Sequence, residues 1–121
     1  MTKRALAEIT VEASPTEVSE TLKGIMPFVD FLFKGETFTE PNGIELLCKH
    51  GASMRSWGEI IEIKIKEDGH GGSVVQAESE AKVGTTLFDY GQNKENLQRL
   101  FLELTRKYKS TSPFQLKEKT F

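Results

Sequence analysis

Near the end of the chain, apolar side chains recur at three- and four-residue intervals, at Leu97, Leu100, Phe101, Leu104 and Tyr108, with polar residues between them. A 3.6-residue period gathers these onto one face, which predicts a long amphipathic helix over residues 94–109. Glu95 and Arg99, like Glu103 and Lys107, stand four apart with the acid first, the favourable order. Asn93 is placed to cap this helix, and Arg106, Lys107 and Lys109 crowd its last turn, as the helix dipole prefers. A helix so one-sided needs a surface to lie on, and the chain upstream reads as the sheet that supplies it.

That sheet announces itself by alternation. Ala5, Ala7, Ile9 and Val11 point one way while Arg4, Glu8, Thr10 and Glu12 point the other. Ser14-Pro15-Thr16-Glu17 then carries three helix-start signals: a capping serine, a proline suited to the first helical position, and a glutamate that completes a capping box. Val18, Leu22 and Ile25 form its apolar stripe, and Gly24 with Pro27 is expected to end it. Phe28, Phe31, Phe33 and Phe38 follow, half of the chain's eight phenylalanines. This segment reads as a helical turn leading into a strand near residues 36–40, with Pro41-Asn42-Gly43 as a hairpin turn. The return strand puts Ile44, Leu46 and Cys48 on one face. Residues 57–66 give the clearest strand, Ile61, Ile63 and Ile65 inward and Glu62, Lys64 and Lys66 outward. A glycine-rich hairpin, Glu67 to Gly72, leads to a strand over residues 73–83 with Val75, Ala77, Ser79, Ala81 and Val83 inward. These inner residues are small and leave room for a large object, either the last helix or a ligand.

Length and composition narrow the picture. The 121 residues suit one domain, read as residues 1–110 with a C-terminal tail, 111–121, expected to fray. A content of 37% hydrophobic and 28% charged residues is that of a soluble globular chain. A net charge of −2 with a pI near 5.7 argues against a dedicated nucleic-acid binder, which needs clustered excess Lys and Arg. The single cysteine, Cys48, forbids an intramolecular disulfide and a cysteine metal cluster. No stretch has the apolar length of a signal core or a membrane span, so the expectation is a cytoplasmic protein without membrane association. The expected class is α+β: a curved antiparallel sheet of about five strands with a short N-terminal and a long C-terminal helix on one face.

The opening run Ile9-Thr10-Val11-Glu12-Ala13-Ser14-Pro15-Thr16-Glu17-Val18 resembles the start of START-like, helix-grip proteins of the SRPBCC superfamily, in which a first strand runs into such a helix start. That resemblance covers both ends of the chain and implies a closing helix laid across the sheet, above a ligand cavity. Ser56-Trp57-Gly58-Glu59, paired with Asp89-Tyr90-Gly91-Gln92-Asn93 and Asn96, resembles a pattern of small bacterial domains, a likeness that brings no activity with it. A strand–helix–four strands–helix arrangement like that of TATA-box-binding-protein-like domains is the alternative architecture.

Glu59 is the leading candidate for chemistry. Alternation places it inward beside Trp57 and Ile61, where a carboxylate needs a partner. It either anchors a ligand, with Trp57 as a stacking wall, or accepts hydrogen bonds from N–H groups around Gly91 to Asn93 and so pins the last helix. Asp89, Asn93 and Asn96 form either an anion site or a turn-and-cap assembly. His50 and His70 read as solvated histidines, Cys48 as a buried inert thiol, and no cofactor or metal is expected. The leading functional expectation is a non-catalytic domain that holds a small apolar or amphipathic ligand between helix and sheet. Phe28, Phe31, Phe33, Trp57, Glu59, Ala77, Ser79, Asn96 and Leu100 are its expected lining. The alternative is an interaction module working as a homodimer, through an exposed sheet edge or the phenylalanine-rich segment.

Overall fold

The computed structural model describes residues 3–39, 41–51, 58–81, 92–108 and 115–120. In chain order the elements are β1 (Lys3–Val11), α1 (Pro15–Ile25), one 3-10 turn (Met26–Val29), β2 (Phe31–Thr39), β3 (Gly43–His50), β4 (Glu59–Glu67), β5 (Ser73–Ala81), α2 (Gln92–Lys107) and β6 (Gln115–Thr120). The strands make one antiparallel sheet in the order β2-β3-β4-β5-β1-β6. Strands β2 to β5 form a meander, and β1 closes onto the last of them, so Ala7 stands opposite Ala77 and Ile9 opposite Val75.

The first helix begins as its sequence implies. Ser14 Oγ accepts the Glu17 N–H at 3.3 Å, and Pro15 opens the helix. Its α-helical part ends as expected, at Ile25 between Gly24 and Pro27, after 11 residues. Beyond it the chain tightens into the 3-10 turn, which stops at Asp30, whose φ of 63° is left-handed. Strand β2 starts straight after that stop, at Phe31 rather than near Glu36, and its register against β3 breaks between Phe33 and Gly35, a β-bulge. In the β2–β3 turn, glycine serves close approach rather than positive φ: a Cβ on Gly43 would collide with the Thr39 side chain.

Both helices pack on the inner face of the sheet, α2 across β1 and β5, α1 over β3 and β4, with the helices touching. Beneath α2 the strands present Ala5, Ala7, Ala77 and Ser79, all buried. Their small size leaves the volume that Leu97, Leu100, Phe101 and Leu104 of α2 fill, each with no exposed surface. At the outer end of this seam the hydroxyls of Thr21 and Tyr108 hydrogen-bond, linking the helices. On the other side of α1, the Glu36 carboxylate of β2 takes the Ser19 hydroxyl at 2.6 Å and the Lys23 ammonium at 3.2 Å.

The fold is thus α+β and helix-grip-like, in the order strand, helix, four strands, helix that both expected architectures share. A sixth strand is added to it. Residues 115–120, expected as part of a fraying tail, pair with β1 from Lys3 opposite Thr120 to Glu8 opposite Gln115. Gln-Leu-Lys-Glu-Lys-Thr offers one apolar residue and hence no alternation to detect. Trp57, Lys82, Val83 and Asp89 to Gly91 lie outside the described residues.

Candidate functional site

The alternation that buries Ile44, Leu46 and Cys48 of β3 carries one step further, to His50. The β3–β4 register sets His50 directly opposite Glu59, the first residue of β4. Glu59 is 0% exposed and the His50 side chain 11%. His50 Nδ1 lies 2.8 Å from Glu59 Oε1, an ion pair whenever the imidazole is protonated. From above, Asn96 of α2 donates Nδ2 to the same carboxylate oxygen at 2.7 Å.

Asn96 is the hub of the rest. Its Nδ2 also lies 3.3 Å from Ser79 Oγ on β5, and its Oδ1 accepts Gln92 Nε2 at 2.7 Å. Ser79 in turn donates its hydroxyl to Asn93 Oδ1 at 2.8 Å. Six polar side chains from three adjacent strands and the start of α2 therefore form one array: His50, Glu59, Ser79, Gln92, Asn93 and Asn96. The phenyl ring of Phe31, paired with His50 across β2 and β3, meets the imidazole edge-on with centroids 6.1 Å apart.

Helical periodicity explains the supply from α2. Gln92, Asn93 and Asn96 occupy the same buried stripe that continues as Leu97, Leu100, Phe101 and Leu104. The stripe is polar in its first turn and apolar beyond. Asn93, placed at the cap by its sequence context, lies inside the helix and faces β5 instead. Burying a carboxylate costs several kcal/mol unless charge-assisted hydrogen bonds offset it, and His50 and Asn96 supply two. The array chains β3 and β4 to α2, which fits the bracing reading of Glu59. The Asn96 side chain is one donor to it, one turn into the helix, and Gly91, at the start of the N–H run first expected, lies outside the described residues.

The Ser79 hydrogen goes to an amide oxygen, too weak a base to activate an alcohol. Cys48 on the same face of β3 is buried, and desolvation pushes its thiol up to about 12. His70 belongs to the exposed β4–β5 turn, where Asp68 Oδ1 accepts the His70 and Gly72 N–H groups at 2.7 and 2.9 Å. Among the described residues no group of three His, Cys, Asp or Glu side chains is placed to hold a metal ion.

The expected lining residues divide. Glu59, Ser79 and Asn96 meet in the array, Phe31 reaches it through His50, and Ala77 and Leu100 are buried in the apolar region next to it. Phe28 and Phe33 do not join it; they are 82% and 40% exposed. Trp57 lies outside the described residues. His50, Gln92 and Asn93 complete the array. His50 had a legible signal, the period-two run Ile44, Leu46, Cys48, His50.

Among the described residues no helix is long and apolar enough to cross a membrane. No family model and no curated protein matches the chain. Among solved structures that match, the crystal structure of Ara h 8.0201 gives a TM-score of 0.49 at 9% sequence identity, covering 87% of this chain and 99% of that one.

Proposed function

We propose that this chain is a non-catalytic binding domain for a small amphipathic molecule whose polar end is read by Glu59, His50 and Asn96. The observation that carries the reading is the polar array itself, desolvated at one end of an otherwise apolar helix–sheet seam. Replacing such a buried pair with packed hydrophobes is often neutral or stabilising by 1–4 kcal/mol in proteins generally, on the order of a typical binding interaction. Recognition of a polar group gives the chain a reason to hold these side chains there. The change along α2, from Asn93 and Asn96 to Leu97 and Leu100, runs in the order a ligand with a polar head and an apolar body requires.

The acceptor at the centre is a carboxylate, so the fitting head is a hydrogen-bond donor such as an amine or hydroxyl. Isothermal titration of the full chain with dodecylamine and with dodecanoate, below their micellar concentrations, tests this. The amine is expected to bind at least about tenfold more tightly, the equivalent of one charge-assisted hydrogen bond, and Glu59→Gln to erase the preference. Binding of neither probe, or equal binding of both, refutes the reading.

A further inference from the structure

We propose that β2 is a self-association edge, on which a second copy of this chain pairs antiparallel about a two-fold axis between Lys34 and Gly35. Among the described residues β2 ends the sheet, so the backbone groups on its far side form a template for another strand. Exposed apolar side chains gather there: Leu32, Phe33 and Phe38 on the strand, and Phe28 on the turn that feeds it.

The faces of β2 select the occupant. Its register against β3 puts Phe31, Phe33, Glu36 and Phe38 on the inner face, opposite His50, Cys48, Leu46 and Ile44. Leu32, Gly35 and Thr37 share the outer face, opposite Lys49, Leu47 and Glu45. The bulge at Lys34 shifts the alternation by one residue. Two copies of β2 with Phe31 opposite Phe38, Leu32 opposite Thr37 and Phe33 opposite Glu36 therefore keep each of these pairs on one face. Without the bulge, the same register would set inner residues against outer ones. In it Phe38, 73% exposed, stands across from the buried Phe31 and gains Phe33, 40% exposed, on the diagonal.

Charge points to the same register. Lys34 stands across from Gly35 of the second copy, where a Cβ would meet nothing within 4 Å. Gly35 borders an outer-face groove that Glu45 and Glu62 also line. Neither carboxylate, nor Lys34, has an ion-pair partner among the described residues. A lysine and a bulge ordinarily blunt an edge; here the bulge aligns the faces and the lysine matches the acidic groove.

Sedimentation equilibrium on the full chain is the test. It is expected to show a dimer that Lys34→Glu weakens at least about fivefold, while Lys34→Glu with Glu45→Lys recovers it. The pair Leu32→Cys and Thr37→Cys is expected to join two copies by a disulfide, since opposed residues stand at bridging distance. A chain that stays monomeric up to about 1 mM overturns the proposal, as does a dimer that Lys34→Glu leaves unchanged and the cysteine pair does not link.

Discussion

Truncating Asn96 to alanine probes the polar array at its hub. The side chain donates to Glu59 Oε1 at 2.7 Å, lies 3.3 Å from Ser79 Oγ, and accepts Gln92 Nε2 at 2.7 Å, all without exposed surface at Asn96. A lost hydrogen bond to a buried carboxylate is worth about 1.5–3 kcal/mol, and a buried amide donor left without its acceptor about 1–3 kcal/mol more. The 3.3 Å contact is too long to add much. Together these give roughly 2.5–6 kcal/mol, which in a chain of 121 residues lowers the unfolding midpoint by about 10–24 °C. The assay is urea and thermal unfolding followed by circular dichroism, with Arg99→Ala as the control. Arg99 pairs with Asp30 at 3.5 Å in an exposed position, and its loss is expected to cost under about 0.5 kcal/mol. A double-mutant cycle with Glu59→Gln then isolates the coupling between the two residues, expected at about 1–2 kcal/mol. An Asn96→Ala variant within about 1 kcal/mol of the parent, or a coupling near zero, would refute the claim that this array fastens α2 to β4.

Leu100→Ala and Leu104→Ala each remove a side chain with no exposed surface and are expected to cost about 2–5 kcal/mol in urea unfolding; near-parental midpoints would remove α2 from the core. Cys48, buried and with its thiol pushed up to about 12, is expected to resist a disulfide reagent at pH 8 until denaturant is added, so rapid labelling of the folded chain would contradict its placement. The Asp68 carboxyl is held below its ordinary range, first by the His70 N–H and then by the Gly72 N–H, against desolvation. A carboxyl whose pKa is lower folded than unfolded stabilises above its unfolded pKa, and that stability disappears as pH falls through the folded one. Stability is therefore expected to drop as pH falls below about 4, less steeply in Asp68→Asn, and identical acid limbs would count against the turn geometry.

Which parts of this structure a reader of the sequence can recover depends on whether a local period or a remote pairing decides them. Ala5, Ala7, Ile9 and Val11, the Ser14-Pro15 helix start and the apolar stripe of α2 are periodic or local signals, and each lies in the structure where its pattern implied. Strand β6 was hidden because its pairing with β1 is remote and its residues are mostly polar. The stop at Asp30 escaped notice because glycine is the usual left-handed residue and Gly24 lay nearby, whereas aspartate also tolerates that conformation. Glu59 could be singled out by strand parity. The inward parity of His50 was legible too, but its pairing with Glu59 was not, because the β3–β4 register that sets the two opposite and the helix rotation that brings Asn96 down are tertiary facts. The small residues Ala77 and Ser79 left two occupants open, and α2 takes the space above them.

Native mass spectrometry of gently purified protein, repeated under denaturing conditions, tests the binding claim most directly. The account predicts a folded species heavier than the 13.6 kDa chain by the mass of a small amphipathic molecule, lost on denaturation and depleted in Glu59→Gln. The same bare chain mass under both conditions, in preparations that also bind neither dodecylamine nor dodecanoate, would contradict it.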